Sequence, residues 1–109
     1  MINYDDFAKV EIKVGKILSV EKIPDSEKLL KLIVDFAEPE PRVIVSGISK
    51  YFLDEQTLVG KKTTFVTNLE PRKLMGYESN GMLFAVSTEG GAFSLFDVGE
   101  DIPPGTKAK

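Results

Sequence analysis

The chain has 109 residues and a mass of 12.0 kDa, with 42% apolar and 28% charged side chains, the size of one domain and the composition of an ordinary globule rather than a disordered chain. It contains no Cys and no His, which excludes disulfides, thiolate nucleophiles, imidazole bases and the usual zinc sites, and leaves only carboxylate, Lys, Tyr or Ser chemistry to an enzyme. Lys and Arg total 14 against 17 Asp and Glu, a net charge of −3, which speaks against the basic footprint normal for a phosphate-binding protein.

In chain order, the opening Met1-Ile2-Asn3-Tyr4-Asp5-Asp6 lacks the basic and then apolar pattern of a secretion signal. Val10, Ile12 and Val14 alternate with polar or small residues, and Ile17, Leu18 and Val20 continue after a phase slip near Gly15. This pattern predicts a long first strand bulged or coiled at that glycine, as a small closed barrel requires at its corner. Pro24-Asp25-Ser26 supplies a turn. Leu29 to Phe36 reads as a second strand and Arg42 to Ser46 as a third, joined by the loop Glu38-Pro39-Glu40-Pro41. Between Gly47 and Gly60 the alternation fails, and Asp54-Glu55-Gln56 predicts the chain's single helical turn, carrying Leu58 and Val59 inward.

Thr63 to Leu69 is β-branched and aromatic, a fourth strand, and Gly81 to Ser87 is a fifth. Pro71 to Asn80 between them reads as a polar loop longer than a hairpin needs. Glu89-Gly90-Gly91 is a hairpin turn into Phe93 to Val98, and the chain closes with Ile102-Pro103-Pro104-Gly105-Thr106-Lys107. There is no internal repeat. The fold class is all-β: five strands with one short helix between the third and fourth fit a five-stranded Greek-key barrel of the oligonucleotide/oligosaccharide-binding (OB-fold) type, and fit an SH3-like barrel or a small sandwich as well. The whole chain, 1–109, reads as one domain, with a barrel core at about 8–88 and a C-terminal extension at about 89–109.

The charge is unevenly placed. Lys9 to Lys31 holds six Lys against four acids, and Lys50 to Lys73 holds five cations against three, so each stretch nets +2 while the acids concentrate elsewhere. Both a basic face on an acidic body and a mixed solvated surface fit this distribution. The acidic runs at 35–40 and 97–101 lack the ligand pattern of a calcium loop, and Gly90-Gly91 lacks the helix and Lys-Ser/Thr of a phosphate cradle. No metal or cofactor is expected.

One stretch carries a binding inventory. Asn68 to Met82 gathers an amide, the cations Arg72 and Lys73, a hydroxyl and a flexible thioether between two strands. Arg72 and Lys73 suit phosphates, Asn68 and Ser79 suit a base edge or ribose hydroxyl, and Met82 suits the face of an exposed base. A structural loop whose Asn and Ser satisfy their own backbone would carry the same residues.

That stretch, with Asp6-Phe7, "VEIKVGKI" at 10–17, "PDSEKL" at 24–29, "VIVSGISKY" at 43–51, "LVGKK" at 58–62 and the closing "PPGTKAK", resembles the tRNA-binding domain family over nearly the whole chain. That family includes domains and β subunits of methionyl-tRNA synthetases and stand-alone structure-specific tRNA-binding proteins. The resemblance implies an oligonucleotide-binding barrel that reads the shape of tRNA and is not itself an enzyme. It also implies a homodimer, with the segments flanking the barrel, especially the C-terminal one at about 89–109, helping to form the interface, and a partnership with a methionyl-tRNA synthetase catalytic chain. It places RNA-facing positions at Ser46, Asn68, Lys73, Ser79 and Met82; Lys28, Lys31, Arg42, Lys50 and Arg72 are added on charge.

Three residues depart from the family pattern: Ile23 replaces a common His, Ala37 a common Gly and Asn80 a common Gln. A sister branch of dimeric, export-related chaperones shares the barrel and binds unfolded polypeptide, but departs more around 71–82. The intact "NLEPRKLMG" and "ESNGM" favour the tRNA branch. No run reaches the roughly 18 apolar residues of a spanning helix, so a cytoplasmic location without a membrane partner is expected. The initial Met1 fits an autonomous chain.

Overall fold

Strand β1 (Ile12–Lys22) is the longest element of the computed structural model, which describes residues 1–109. Its length lets it serve two neighbours in turn. Ile12 to Lys16 pair with β4 (Lys62–Val66), and Lys16 to Lys22 pair with β2 (Leu30–Asp35). β2 continues to β3 (Arg42–Ser46), and β4 to β7 (Met82–Phe84), giving one antiparallel sheet in the order β3-β2-β1-β4-β7. A three-strand meander whose fourth strand returns beside the first is a Greek key, and the sheet curls into the all-β barrel expected from the strand count.

The first strand's phase slip lies three residues beyond the expected place. The β1–β2 register shifts between Ile17 and Ser19, so Leu18 is the irregular residue and Gly15 stays in the ladder opposite Thr63. Gly15 has another reason to lack a side chain. A Cβ there would stand 2.5 Å from Val34, 2.7 Å from Phe36 and 2.9 Å from Phe65, so the barrel's largest core rings close directly over its backbone.

The core follows the two-residue period of β2, whose Leu30, Leu32 and Val34 are fully buried while Lys31, Ile33 and Asp35 are half-buried. Ile17, Val20, Ile44, Ile48, Leu58 and Phe65 complete the cluster, with Phe36 edge-on to Phe65 at 5.3 Å. Each such side chain contributes roughly 1.5–3 kcal/mol by leaving water. Ile23 is buried with them. The departure from the family's His at this position therefore places an apolar residue in the interior. Ala37 holds a left-handed φ of 61° beside an Asx turn, its N–H donating to Asp35 Oδ1 at 2.8 Å. This is the conformation that a glycine adopts without strain.

The expected helical turn is a 3-10 turn at Glu55–Leu58, capped by the Asp54 carboxylate on Gln56 N–H at 2.9 Å. It buries Leu58 but leaves Val59 exposed. Two helical turns were not anticipated: helix α1 (Tyr4–Phe7), capped by Asn3 and burying nothing, and a 3-10 turn at Ser49–Tyr51. Both are too short for a hydrophobic period to show.

The C-terminal segment returns to its own barrel. β8 (Val86–Ser87) and β9 (Phe93–Ser94) form the expected hairpin across Gly90-Gly91, and Phe93 and Leu95 pack on the core. Lys62 Nζ then donates to the carbonyls of Gly99, Glu100 and Ile102 at 3.1, 2.8 and 2.6 Å, and the buried Thr63 hydroxyl donates to Phe96 O at 3.0 Å. Beyond them, Gly105 N–H donates to Val14 O, Thr106 O accepts from Val14 N–H and Ala108 N–H donates to Ile12 O. The tail thus covers the free edge of β1's first half.

Candidate nucleic-acid interface

Residues 71–80, expected as an irregular loop, form a second hairpin. β5 (Arg72–Leu74) pairs with β6 (Tyr77–Ser79), and Met75 and Gly76 turn between them with φ of 52° and 82°. Positive φ at both central residues is the type I′ pattern, whose twist matches the flanking strands. Three-residue strands show too little alternation to be read from sequence.

The hairpin closes the barrel against β3. Asn80 N–H donates to Val43 O at 2.8 Å, and two residues further along β3 the Val45 N–H donates to Ser79 Oγ at 2.9 Å. Ser79 Oγ in turn donates to Gly81 O at 3.1 Å, and the residue is only 4% exposed. Ser79 was expected to meet a ligand; in the structure its hydroxyl joins the seam, with its proton and one lone pair both engaged, and the residue also lines the dimple shared by Arg72 and Met82.

Arg42, also among the expected contacts, is likewise engaged within the fold. Its guanidinium makes a two-pronged pair with Glu38, Nε to Oε1 and Nη2 to Oε2 both at 2.8 Å, and its Nη1 donates to Thr67 O at 2.7 Å. The Phe36 ring lies 5.3 Å beneath it. The hydrogen bonds from Arg42 hold the Glu38 carboxyl below its ordinary range against a smaller opposing effect of burial, and the same pairing raises the Arg42 pKa. A charge neutralised in this way is not free for phosphate.

The other expected cations are free. The four ion pairs of the molecule use Lys9, Lys13, Lys22 and Arg42, so Lys28, Lys31, Lys50, Arg72 and Lys73 have no carboxylate partner. Lys28, Lys50, Arg72 and Lys73 are exposed, and Lys31 is half-buried with its ammonium 5.5 Å from the centre of the Tyr77 ring. Ser46 ends β3 opposite Leu30, half-buried, with no hydrogen bond to its hydroxyl. Met82 begins β7 and is 47% exposed. Asn68 is exposed but occupied, its amide donating to Lys9 O at 2.6 Å and its Oδ1 accepting from Glu11 N–H at 2.8 Å. Part of the structural-loop alternative therefore holds: Asn68 ties the N-terminal segment to the end of β4.

Contacts join some of these residues, while Lys73 lies opposite Glu78, on the other side of the hairpin from Arg72. Lys31 reaches Tyr77; Ser79, two residues on, faces Arg72 across the hairpin; and Arg72, Met82, Leu74 and Val45 line one dimple with Glu70. Lys28 O accepts from Ser49 N–H at 3.0 Å, which brings the Lys28 main chain against the turn bearing Lys50. Tyr77 is not among the residues expected from sequence, because only the fold brings its ring beside Lys31.

Comparison with known proteins gives this geometry its context. The family model described as "Putative tRNA binding domain" matches residues 12–107. The methionine–tRNA ligases of Methanocella arvoryzae and Myxococcus xanthus are 46% and 51% identical over 108 residues, 99% of this chain and 15% of each relative. This chain therefore spans about 15% of the length of those curated relatives. Among solved structures, a MetRS related protein from Pyrococcus horikoshii superposes with a TM-score of 0.91 at 44% identity, covering 100% of this chain and 98% of that one. The chaperone CsaA from Bacillus anthracis superposes with a TM-score of 0.86 at 25% identity, covering 100% and 99%. A small antiparallel β-barrel with a hairpin, β5–β6, closing it against β3 is the class that the fold defines. The chain belongs to the tRNA-binding domain family.

Proposed function

We propose that this chain is a non-catalytic tRNA-binding module that recognises tRNA by shape and assists aminoacylation beside a methionyl-tRNA synthetase catalytic chain. The observation that carries the reading is that Lys28, Lys31, Lys50, Arg72 and Lys73, five of the ten cations without a carboxylate partner, stay available on a molecule whose net charge is −3. In this reading they hold the phosphate backbone, while Ser46, Met82 and the remaining valences of Asn68 meet sugars or bases. Ser79 and Arg42 support the site from within. Holding tRNA near a partner's active site raises its local concentration, which lowers the partner's apparent KM more than it changes kcat.

The reading includes a homodimer in the cytoplasm. Its support is surface: the accessible area is 7352 Å², where a monomer of this mass is expected to show about 6,000 Å². Phe84 and Phe96 stack at 5.7 Å while both stay about 40% exposed, beside the exposed Val86. An uncovered aromatic patch of this kind suits a second copy, and it involves the segment at about 89–109 assigned to dimerisation.

The superposition on CsaA favours one alternative, a dimeric export-related chaperone that binds unfolded polypeptide. Titration with bulk tRNA, duplex RNA and denatured peptide at two salt concentrations separates the two readings. Preference for tRNA with affinity falling steeply in salt supports the tRNA module. Salt-insensitive preference for denatured peptide supports the chaperone.

A further inference from the structure

The segment 68–79 leaves the barrel at the end of β4 and rejoins it at the end of β6, and one side chain holds both ends. Arg42 Nη1 donates to Thr67 O at 2.7 Å, on the outgoing side, and makes a longer contact of 3.4 Å with Asn80 O, on the returning side. Glu38 fixes the guanidinium through both of its carboxylate oxygens at 2.8 Å. Val43, the neighbour of Arg42, receives the Asn80 N–H at 2.8 Å. Thr67 is held from its other side too: its hydroxyl donates to Glu11 Oε1 at 2.6 Å, and its N–H donates to Glu11 O at 2.9 Å.

A planar fork with donors at fixed angles is suited to this task, whereas an ammonium is a point charge that could hold one carbonyl well and the pair with Glu38 only loosely. The arrangement has a cost for RNA binding, since it places a carboxylate at the foot of the cationic hairpin and neutralises a cation there. Were the region tuned for charge alone, Glu38 would oppose it.

Resting on the tRNA-binding reading, we infer that Glu38 and Arg42 are positioning residues: together they fix the two roots of segment 68–79, so that Arg72, Lys73 and Tyr77 are presented to RNA in one orientation. Their contribution to binding is preorganisation. Without it, the hairpin side chains must be ordered on association, a loss of about two- to tenfold in affinity for each one immobilised.

The sign of one measurement separates this from simple electrostatics. Glu38→Ala removes a negative charge and releases a cation, so a charge-only account has tRNA binding tighten. Positioning has it weaken, by about threefold or more, with faster amide hydrogen exchange at residues 77–80 and unchanged exchange in β1 and β2. Arg42→Lys gives a second comparison that also serves if Glu38→Ala fails to fold: charge is kept, so electrostatics predicts no change and positioning predicts a loss. The probe is bulk tRNA, with wild type and the double variant Arg72→Ala, Lys73→Ala titrated in parallel. If wild type binds, the double variant loses affinity, and Glu38→Ala binds as tightly as wild type or tighter, positioning is overturned and the tRNA reading stands. If wild type does not bind tRNA, or the double variant binds unchanged, the reading beneath it falls and positioning falls with it.

Discussion

The Ser79 hydroxyl takes the place of a backbone carbonyl in the barrel seam, accepting the Val45 N–H at 2.9 Å while Val45 itself is buried. β3 and β6 are thereby joined where main-chain pairing alone leaves a donor unmatched. Ser79→Ala would leave that buried N–H without its partner, and the expected loss of stability is about 1–3 kcal/mol. Urea unfolding followed by circular dichroism measures it. A loss below about 0.5 kcal/mol would mean that the seam relaxes without the hydroxyl.

Lys62 plays a comparable part at the other end of the molecule, where its ammonium holds the carbonyls of Gly99, Glu100 and Ile102. Lys62→Met keeps much of the aliphatic stem and removes all three donors. The expected result is a loss of about 1.5–3 kcal/mol, the value of hydrogen bonds to a charged group, with new proteolytic cleavage between residues 97 and 105. Equal protease resistance in the two proteins would show that the tail's pairing with Val14 and Ile12 holds it alone.

Acid should weaken the molecule through Glu38 and Glu11. The hydrogen bonds of Arg42 hold the first carboxyl below its ordinary value of 4.5, and that of the Thr67 hydroxyl does the same for the second. Each has a lower pKa folded than unfolded, so each stabilises the fold above the unfolded value and loses that contribution as pH falls through the folded one. Stability should therefore decline from about pH 5 downward, and Glu38→Gln should flatten the decline. Urea midpoints at several pH values for both proteins check this, and identical pH profiles would remove Glu38 from the account.

The residues that carry these effects differ in how legible they are in sequence. The five sheet strands show in alternating or β-branched runs: every second residue of β2 faces the core, and Arg42 to Ser46 falls at its observed bounds through its run of Val43, Ile44 and Val45 between the Pro-containing loop and Gly47. The hairpin at 72–79 does not show, since three residues per strand give no period and Met75 at positive φ is not a residue that announces a turn. For the site, residue types identify the cations but not their partners. Arg72 and Arg42 look alike as letters; only the fold sets Glu38 beside one and leaves the other free. Ser79 and Ser46 differ in the same way, the first turned into the seam and the second left at a strand end.

The account rests on the unpaired cations, Arg72 and Lys73 of the hairpin among them, gripping RNA against the molecule's overall negative charge. The most direct measurement is the salt dependence of tRNA binding for wild type and for Arg72→Ala, Lys73→Ala, side by side. Each phosphate contact contributes about 0.7–0.9 to the slope of log affinity against log salt, so the double variant should bind more weakly with a slope shallower by roughly 1.5. Equal affinity and equal slope in the two proteins would contradict the assignment of this face to RNA.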